Sequence, residues 1–185
     1  RRSLTGDAGW LLFCQLDLGG LSDMAQKQGL LCVDTKQYSE LIEVLRMEAG
    51  GIRVDEDLAG HKRLLPEVGI EHQTVSYAKG CYLGQEVIAR VRTYGSVPRA
   101  LRGLQLLSTS LSDVPAAGEV IRLSSGEKVG VWSSRCESPE AKSGFVYAFL
   151  GRNHRTPGSE LALEGKDGAA VNARVVLLPL YRARD

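Results

Sequence analysis

The chain has 185 residues, 43% of them hydrophobic and 24% charged, with a formal net charge of +1. This is the composition of a globular protein able to bury roughly 70% of its unfolded surface, and so small a net charge supplies no global field to recruit nucleic acid or an anionic membrane. No stretch approaches the roughly 20 apolar residues that cross a bilayer; the longest apolar run, Val175 to Leu180, is interrupted by Pro179.

Trp10 to Leu16 has the apolar density of a strand. Its core is too short for a secretory leader and lies between Asp7 and Asp17 with no small-residue cleavage site, so nothing marks export and the expected location is cytoplasmic, or the mitochondrial matrix in a eukaryote. Leu21 to Gln28 reads as a short helix stopped by Gly29, and Leu30 to Val33 as a short buried strand. Asp34 or Thr35 then caps the most secure helix of the chain, whose Tyr38, Leu41, Ile42 and Leu45 fall at i, i+3, i+4 and i+7 before Gly50-Gly51 ends it. Arg46 sits one residue past that stripe and can reach a neighbouring groove; the plainer reading is a solvated arginine complementing the helix dipole. Residues 52–76 are polar and read as a long loop with a turn at Pro66. His61 and His72, 11 residues apart, match no common helix-borne ligand pair.

Lys79-Gly80-Cys81-Tyr82-Leu83-Gly84-Gln85-Glu86 combines a cation, a thiol, two glycines and a carboxylate ahead of the apolar helical stretch Val87 to Val91. With Gln85 opening a helix, Cys81 lies near positively polarised amides and Lys79, conditions that favour a reactive thiolate; the alternative is a buried structural cysteine. Gln85 and Glu86 also suit the first turn of a helix, and Lys79 suits a solvated surface position. Cys14, Cys32, Cys81 and Cys136 form no Cys-x-x-Cys pair, so a structural zinc or self-contained iron–sulfur site is not expected.

Beyond Pro98, short apolar runs at 101–107, 119–123, 128–133, 144–150, 161–163 and 171–177 are separated by Gly, Pro, Ser and Asp, which predicts an all-β barrel or sandwich. Ser124-Ser125-Gly126 and Lys166-Asp167-Gly168 read as hairpin turns, the latter of type I′. The expected division is 1–97 and 98–185.

The octapeptide resembles the Lys-Gly-Cys-Tyr/Phe-x-Gly-Gln-Glu signature of the YgfZ-like folate-binding proteins, relatives of the glycine cleavage T protein (aminomethyltransferase). Thr5-Gly6-Asp7-Ala8-Gly9 and Leu45-Arg46-Met47-Glu48-Ala49-Gly50 resemble the T proteins' Thr-Gly-Glu-Asp-Gly and Leu-Arg-Leu-Glu-Ala-Gly, and Leu65-Pro66-Glu67 a family Pro-Glu step. The resemblance implies an α+β chain: the C-terminal part of a T protein-like folate-binding fold, lacking the family's first part, followed by a small antiparallel β-barrel. It implies tetrahydrofolate or a derivative as cofactor, bound by Asp7 and Arg46 with Lys79, Tyr82, Gln85 and Glu86 of the motif. It also implies Cys81 as the functional thiol and iron–sulfur client or assembly proteins as partners, while the small net charge and the lack of a membrane-length apolar run predict no direct nucleic-acid or membrane partner. Asp7 is one methylene shorter than the T proteins' glutamate and Leu4 replaces a tyrosine, so a tetrahydrofolate-dependent aminomethyltransferase is the alternative, and a client-docking module the third reading. A cysteine hydrolase finds no Cys/His arrangement among His61, His72 and His154.

Overall fold

The computed structural model describes residues 19–58 and 63–180. The readings placed on Leu4, Asp7, Trp10 to Leu16, Cys14 and His61 lie outside the described residues. Among the described residues, six α-helices precede Gly95: α1 (Gly19–Lys27), α2 (Thr35–Glu48), α3 (Val54–Asp57), α4 (Leu65–Val68), α5 (Glu71–Thr74) and α6 (Gln85–Tyr94). Six strands follow: β1 (Arg99–Leu106), β2 (Val120–Arg122), β3 (Lys128–Ser138), β4 (Ser143–Gly151), β5 (Glu160–Glu164) and β6 (Ala170–Val176). The fold class is α+β, helices followed by one antiparallel sheet.

The sheet order is β2-β3-β4-β1-β6-β5, with antiparallel pairing throughout. It curls until its two edges meet: Leu123 bridges to Leu163, and the Ser124 amide donates to the Ala162 carbonyl at 2.9 Å. Each strand predicted beyond Pro98 is present. The Asp167-Gly168 turn has φ of 51° and 78°, the positive pair that type I′ requires, closed by the Ala169 amide on the Lys166 carbonyl at 2.8 Å. β3 runs past the predicted Ser133 because a bulge absorbs one residue: Trp132 faces Ala148 and Arg135 faces Val146, three steps against two.

β4 explains where the helices sit. Its residues 144–150 are all buried, and they alternate between two cores. Val146, Ala148 and Leu150 point into the barrel with Trp132, Leu104, Ile121 and Leu163. Phe145, Tyr147 and Phe149 point outward and are covered by Met47 of α2 and Val68 of α4, with Val44, Ile52, Leu58 and Ile70 around them. Period-2 alternation on a strand buried on both faces therefore creates two apolar layers. Burying side chains of this size stabilises by about 1.5–3 kcal/mol each. Gly103 of β1 leaves room for the Phe145 ring, whose Cε2 would lie 2.5 Å from any added Cβ.

Three expectations are corrected. Leu30 to Val33 is exposed coil, Leu31 being 90% exposed, because a strand needs a hydrogen-bonding neighbour and every described strand lies in the sheet beyond Pro98. Residues 52–76 hold α3, α4 and α5 rather than one loop. Asp55, Glu56 and Asp57 favour the N-terminal turn of α3, and Pro66 and left-handed Gly69 bracket α4. On α2, Asp34 does cap, accepting from the Gln37 amide at 2.7 Å. The apolar stripe, however, is not the buried face: Tyr38 and Leu41 are each 49% exposed, and the buried residues are Arg46, Met47 and Glu48.

Candidate functional site

Three consecutive buried residues on a helix mean that its last turn is enclosed, and each of these three docks differently. Met47 enters the outer core. Glu48 accepts from Ser138 Oγ at 2.6 Å and from the Glu140 amide at 3.1 Å, tying α2 to the end of β3. Tyr147 Oη donates to the Met47 carbonyl at 2.6 Å. The Leu45 to Gly50 segment is thus the seat of α2 on the barrel.

Arg46 is the hub. Its Nε donates to Glu43 Oε2 at 2.9 Å and Nη2 to Glu43 Oε1, while Nη1 donates to the Gly51 carbonyl at 2.6 Å and to Asp57 Oδ2 at 2.7 Å. Four of its five N–H groups are committed, leaving one on Nη2. Asp57, whose side chain is fully buried, also accepts from the Arg53 amide at 2.6 Å. The β3 bulge turns Ser133 inward to donate to the Asp57 carbonyl at 2.9 Å. Burial opposes the Arg46 cation, but the bonds from Glu43 and the charges of Asp57 and Glu43 outweigh it and raise its pKa. The Arg46 bond likewise holds the Glu43 carboxyl below its ordinary value, against a smaller opposing effect of burial. Tyr147 lies beneath the guanidinium, its ring centroid 5.8 Å away.

The outer side of this hub opens on a concavity of about 570 Å³ lined by Tyr38, Ile42, Glu43, Arg46, Ile52 and Arg53 with Gly51. Three apolar side chains face two arginines and a carboxylate. Such a surface suits a flat, partly charged ligand, and the volume lies within the range of small-molecule sites.

The Cys81 segment is a separate structure. Left-handed Gly84 (φ 86°) caps α6, and Gln85 Oε1 accepts from the Tyr82 amide at 3.3 Å. Lys79 Nζ lies 4.6 Å from the Tyr82 ring centroid. Glu86 pairs with Arg90 one turn on, at 2.9 Å. Cys81 and Leu83 are exposed, whereas the Tyr82 hydroxyl oxygen is buried without a hydrogen-bond partner. The structure therefore brings Lys79, Tyr82 and Gln85 together around the turn that carries Cys81. None of the motif's residues lines the Arg46 concavity. Among the described residues, no group of three or more His, Cys, Asp or Glu is placed to hold a metal ion.

Cys136 is the opposite kind of cysteine: burial, with Glu48 nearby, pushes its thiol up to about 12. Iodoacetamide at pH 8 is expected to modify exposed Cys32 and Cys81 while sparing Cys136 until the protein unfolds. Peptide mass spectrometry over a labelling time course checks this, and equal labelling of Cys136 in the native protein contradicts it.

Two features of the site were not anticipated from sequence, Asp57 and Ser133. Glu43 was within reach of an i,i+3 pairing argument from Arg46.

The profile of the Glycine cleavage T-protein C-terminal barrel domain matches residues 99–182. The tRNA-modifying protein YgfZ of Yersinia pestis (strain Pestoides F) is 34% identical over 173 residues, 84% of this chain and 51% of that protein. Over 53 residues, 29% of this chain and 15% of the relative, identity to the YgfZ of Escherichia coli O139:H28 is 47%. Over most of its length the chain is YgfZ-like in sequence. It spans about half the length of the curated relatives it matches. Among solved structures, the aminomethyltransferase T of the Bartonella henselae glycine cleavage system superposes with a TM-score of 0.57 at 18% identity, covering 91% of this chain and 46% of the enzyme. That likeness establishes the shared fold. In this YgfZ-like chain the T protein-like motif around Arg46 is the helix seat described above, and the Cys81 signature is the exposed turn ahead of α6.

Proposed function

We propose that this YgfZ-like chain belongs to a folate-binding protein that supports assembly or repair of iron–sulfur clusters in client enzymes, with Cys81 as its working thiol. The observation that carries the reading is the amphipathic concavity at the end of α2. Tyr38, Ile42 and Ile52 offer walls for the flat rings of a tetrahydrofolate, and Arg53, which pairs with Glu43 and Glu56 but keeps a partly exposed guanidinium, offers its remaining N–H groups to the folate carboxylates. Arg46, its charge balanced by Glu43 and Asp57, contributes its remaining N–H. Asp7 is assigned to the pterin edge, where a carboxylate accepts paired N–H bonds. When bound, the folate would supply a one-carbon carrier. This chain's residues hold and orient it, and the Cys81 turn, outside the concavity, faces the client. Ligation of a cluster by Cys81 requires thiols from a partner or a second copy. The Yersinia relatives are named tRNA-modifying proteins; we place tRNA modification with the client enzyme, since a net charge of +1 gives this chain no nucleic-acid-binding field.

Anaerobic calorimetry of tetrahydrofolate against the reduced chain tests the pocket. Saturable binding is expected, weakened about tenfold by Tyr38→Ala or Arg53→Ala and unchanged by Cys81→Ser, which instead abolishes support of the client. Binding that ignores both concavity substitutions would remove folate from this site. Turnover of an aminomethyl donor by the chain alone would favour the transferase alternative.

A further inference from the structure

A second cavity, sharing no residue with the Arg46 concavity, lies between the short helices α4 to α6 and the outer face of the barrel. It has a volume of about 400 Å³, and its charged lining is Arg92 of α6, Arg102 of β1, Arg155 beyond β4 and Glu71 of α5. Three cations and one carboxylate leave a formal charge of +2.

The arginines are held in place without being neutralised. Arg102 Nε donates to the Arg155 carbonyl at 3.2 Å and Nη1 to the Leu101 carbonyl at 2.7 Å. Arg155 Nη1 donates to the Val97 carbonyl at 3.2 Å and Nη2 to Ser96 Oγ at 3.3 Å. The Arg92 guanidinium stacks over Tyr77, 4.0 Å from the ring centroid. Every acceptor is uncharged. Among the described residues, none of the three arginines forms an ion pair with a carboxylate. Neutral acceptors fix the direction of a guanidinium while leaving its charge and remaining N–H groups available, which is the arrangement an oxyanion completes. Burial, and after it the like charge of Arg155, lower the Arg102 pKa, as expected where the counter-charge comes from outside the protein. Glu71 Oε2 adds a second requirement: it is buried and has no hydrogen-bond partner, a state that is costly unless a donor arrives.

We propose that this cavity binds a phosphate monoester that also carries a hydroxyl or amino donor. A monoester holds a charge of about −1.5 to −2 at neutral pH and three acceptor oxygens, matching the +2 lining and the unused arginine N–H groups. The hydroxyl or amine satisfies Glu71. Tyr77, Pro66 and Val97 supply the less polar wall for the body of the molecule.

The test uses the full chain in low-salt buffer at pH 7.5, with inorganic phosphate and ribose 5-phosphate as calorimetric probes. Saturable binding of both is expected, with ribose 5-phosphate the tighter. Arg102→Gln and Arg155→Gln should each weaken both probes about tenfold or more. Arg92 is exposed on α6, so Arg92→Gln keeps the fold and gives an independent arm with the same direction. Glu71→Ala should remove the preference for ribose 5-phosphate while leaving inorganic phosphate bound as well or better, a crossed signature that loss of structure would not produce. No saturation with either probe overturns the proposal. So does equal weakening by Arg174→Gln, since Arg174 pairs with Glu160 at 2.7 Å away from this cavity and would report general charge screening. Tighter binding of a dicarboxylate such as succinate would replace phosphate with carboxylate as the recognised group and overturn it as well.

Discussion

Arg46→Ala is expected to destabilise the chain by about 3–5 kcal/mol, the usual cost of removing one partner from a buried ion pair. The loss falls on Asp57, whose side chain is fully enclosed and would be left with only the Arg53 amide and Ser133 hydroxyl for support. Urea unfolding by circular dichroism reads this directly. Arg46→Lys retains the charge but not the fork, so it should fall between wild type and alanine. Removing both charges, with Arg46→Met and Asp57→Leu together, should cost less than the sum of the single changes, because the stranded charge disappears with its partner. Additive losses would show that the two residues act independently and that the hub is not a coupled unit. Arg46→Ala is for the same reason an ambiguous probe of folate binding, and Tyr38 and Arg53, on the exposed side of the concavity, are the informative positions.

Phe149→Ala should cost about 3–5 kcal/mol, the range for emptying a well-packed aromatic site. Phe149 is 1% exposed and stands in the outer core with Met47 and Val68, while the Arg63 guanidinium lies 4.3 Å from its ring centroid. The neighbours on β4, Ala148 and Leu150, face the barrel interior and would stay packed. Hydrogen exchange should therefore lose protection first in the amides of α2 and α4, with β1, β4 and β6 retained. Trp132→Ala, in the inner core, should reverse the order of damage and expose the strands together with the helices. A uniform loss of protection in both variants would mean that the two layers unfold as one.

The β half was legible because its signals are local. Alternation of side chains, Gly126 and the Asp167-Gly168 turn each specify geometry within a few residues. The helical half depends on what lies across the chain. The stripe of Tyr38, Leu41, Ile42 and Leu45 identifies α2 as a helix, but which face is buried was decided by the outward aromatics of β4, about 100 residues later. Leu30 to Val33 looked like a strand because apolar density says nothing about whether a hydrogen-bonding partner exists. At the candidate site, Arg46 stood out in a motif, whereas its counter-charge Asp57 was hidden inside an acidic run. The cavity arginines, 92, 102 and 155, are spread over three elements, and no spacing rule joins them.

The seam of the barrel has a consequence for how molecules of this chain behave in a crowd. β2 is three residues long and β5 five, and the Leu123–Leu163 bridge already joins these outermost strands. A neighbouring chain therefore finds little unpaired backbone to extend. Edge strands are the usual starting points of intermolecular sheet growth, and short, partly occupied ones are poor templates. The same bridge that completes the cylinder thus helps keep the β half of the chain self-contained at high concentration.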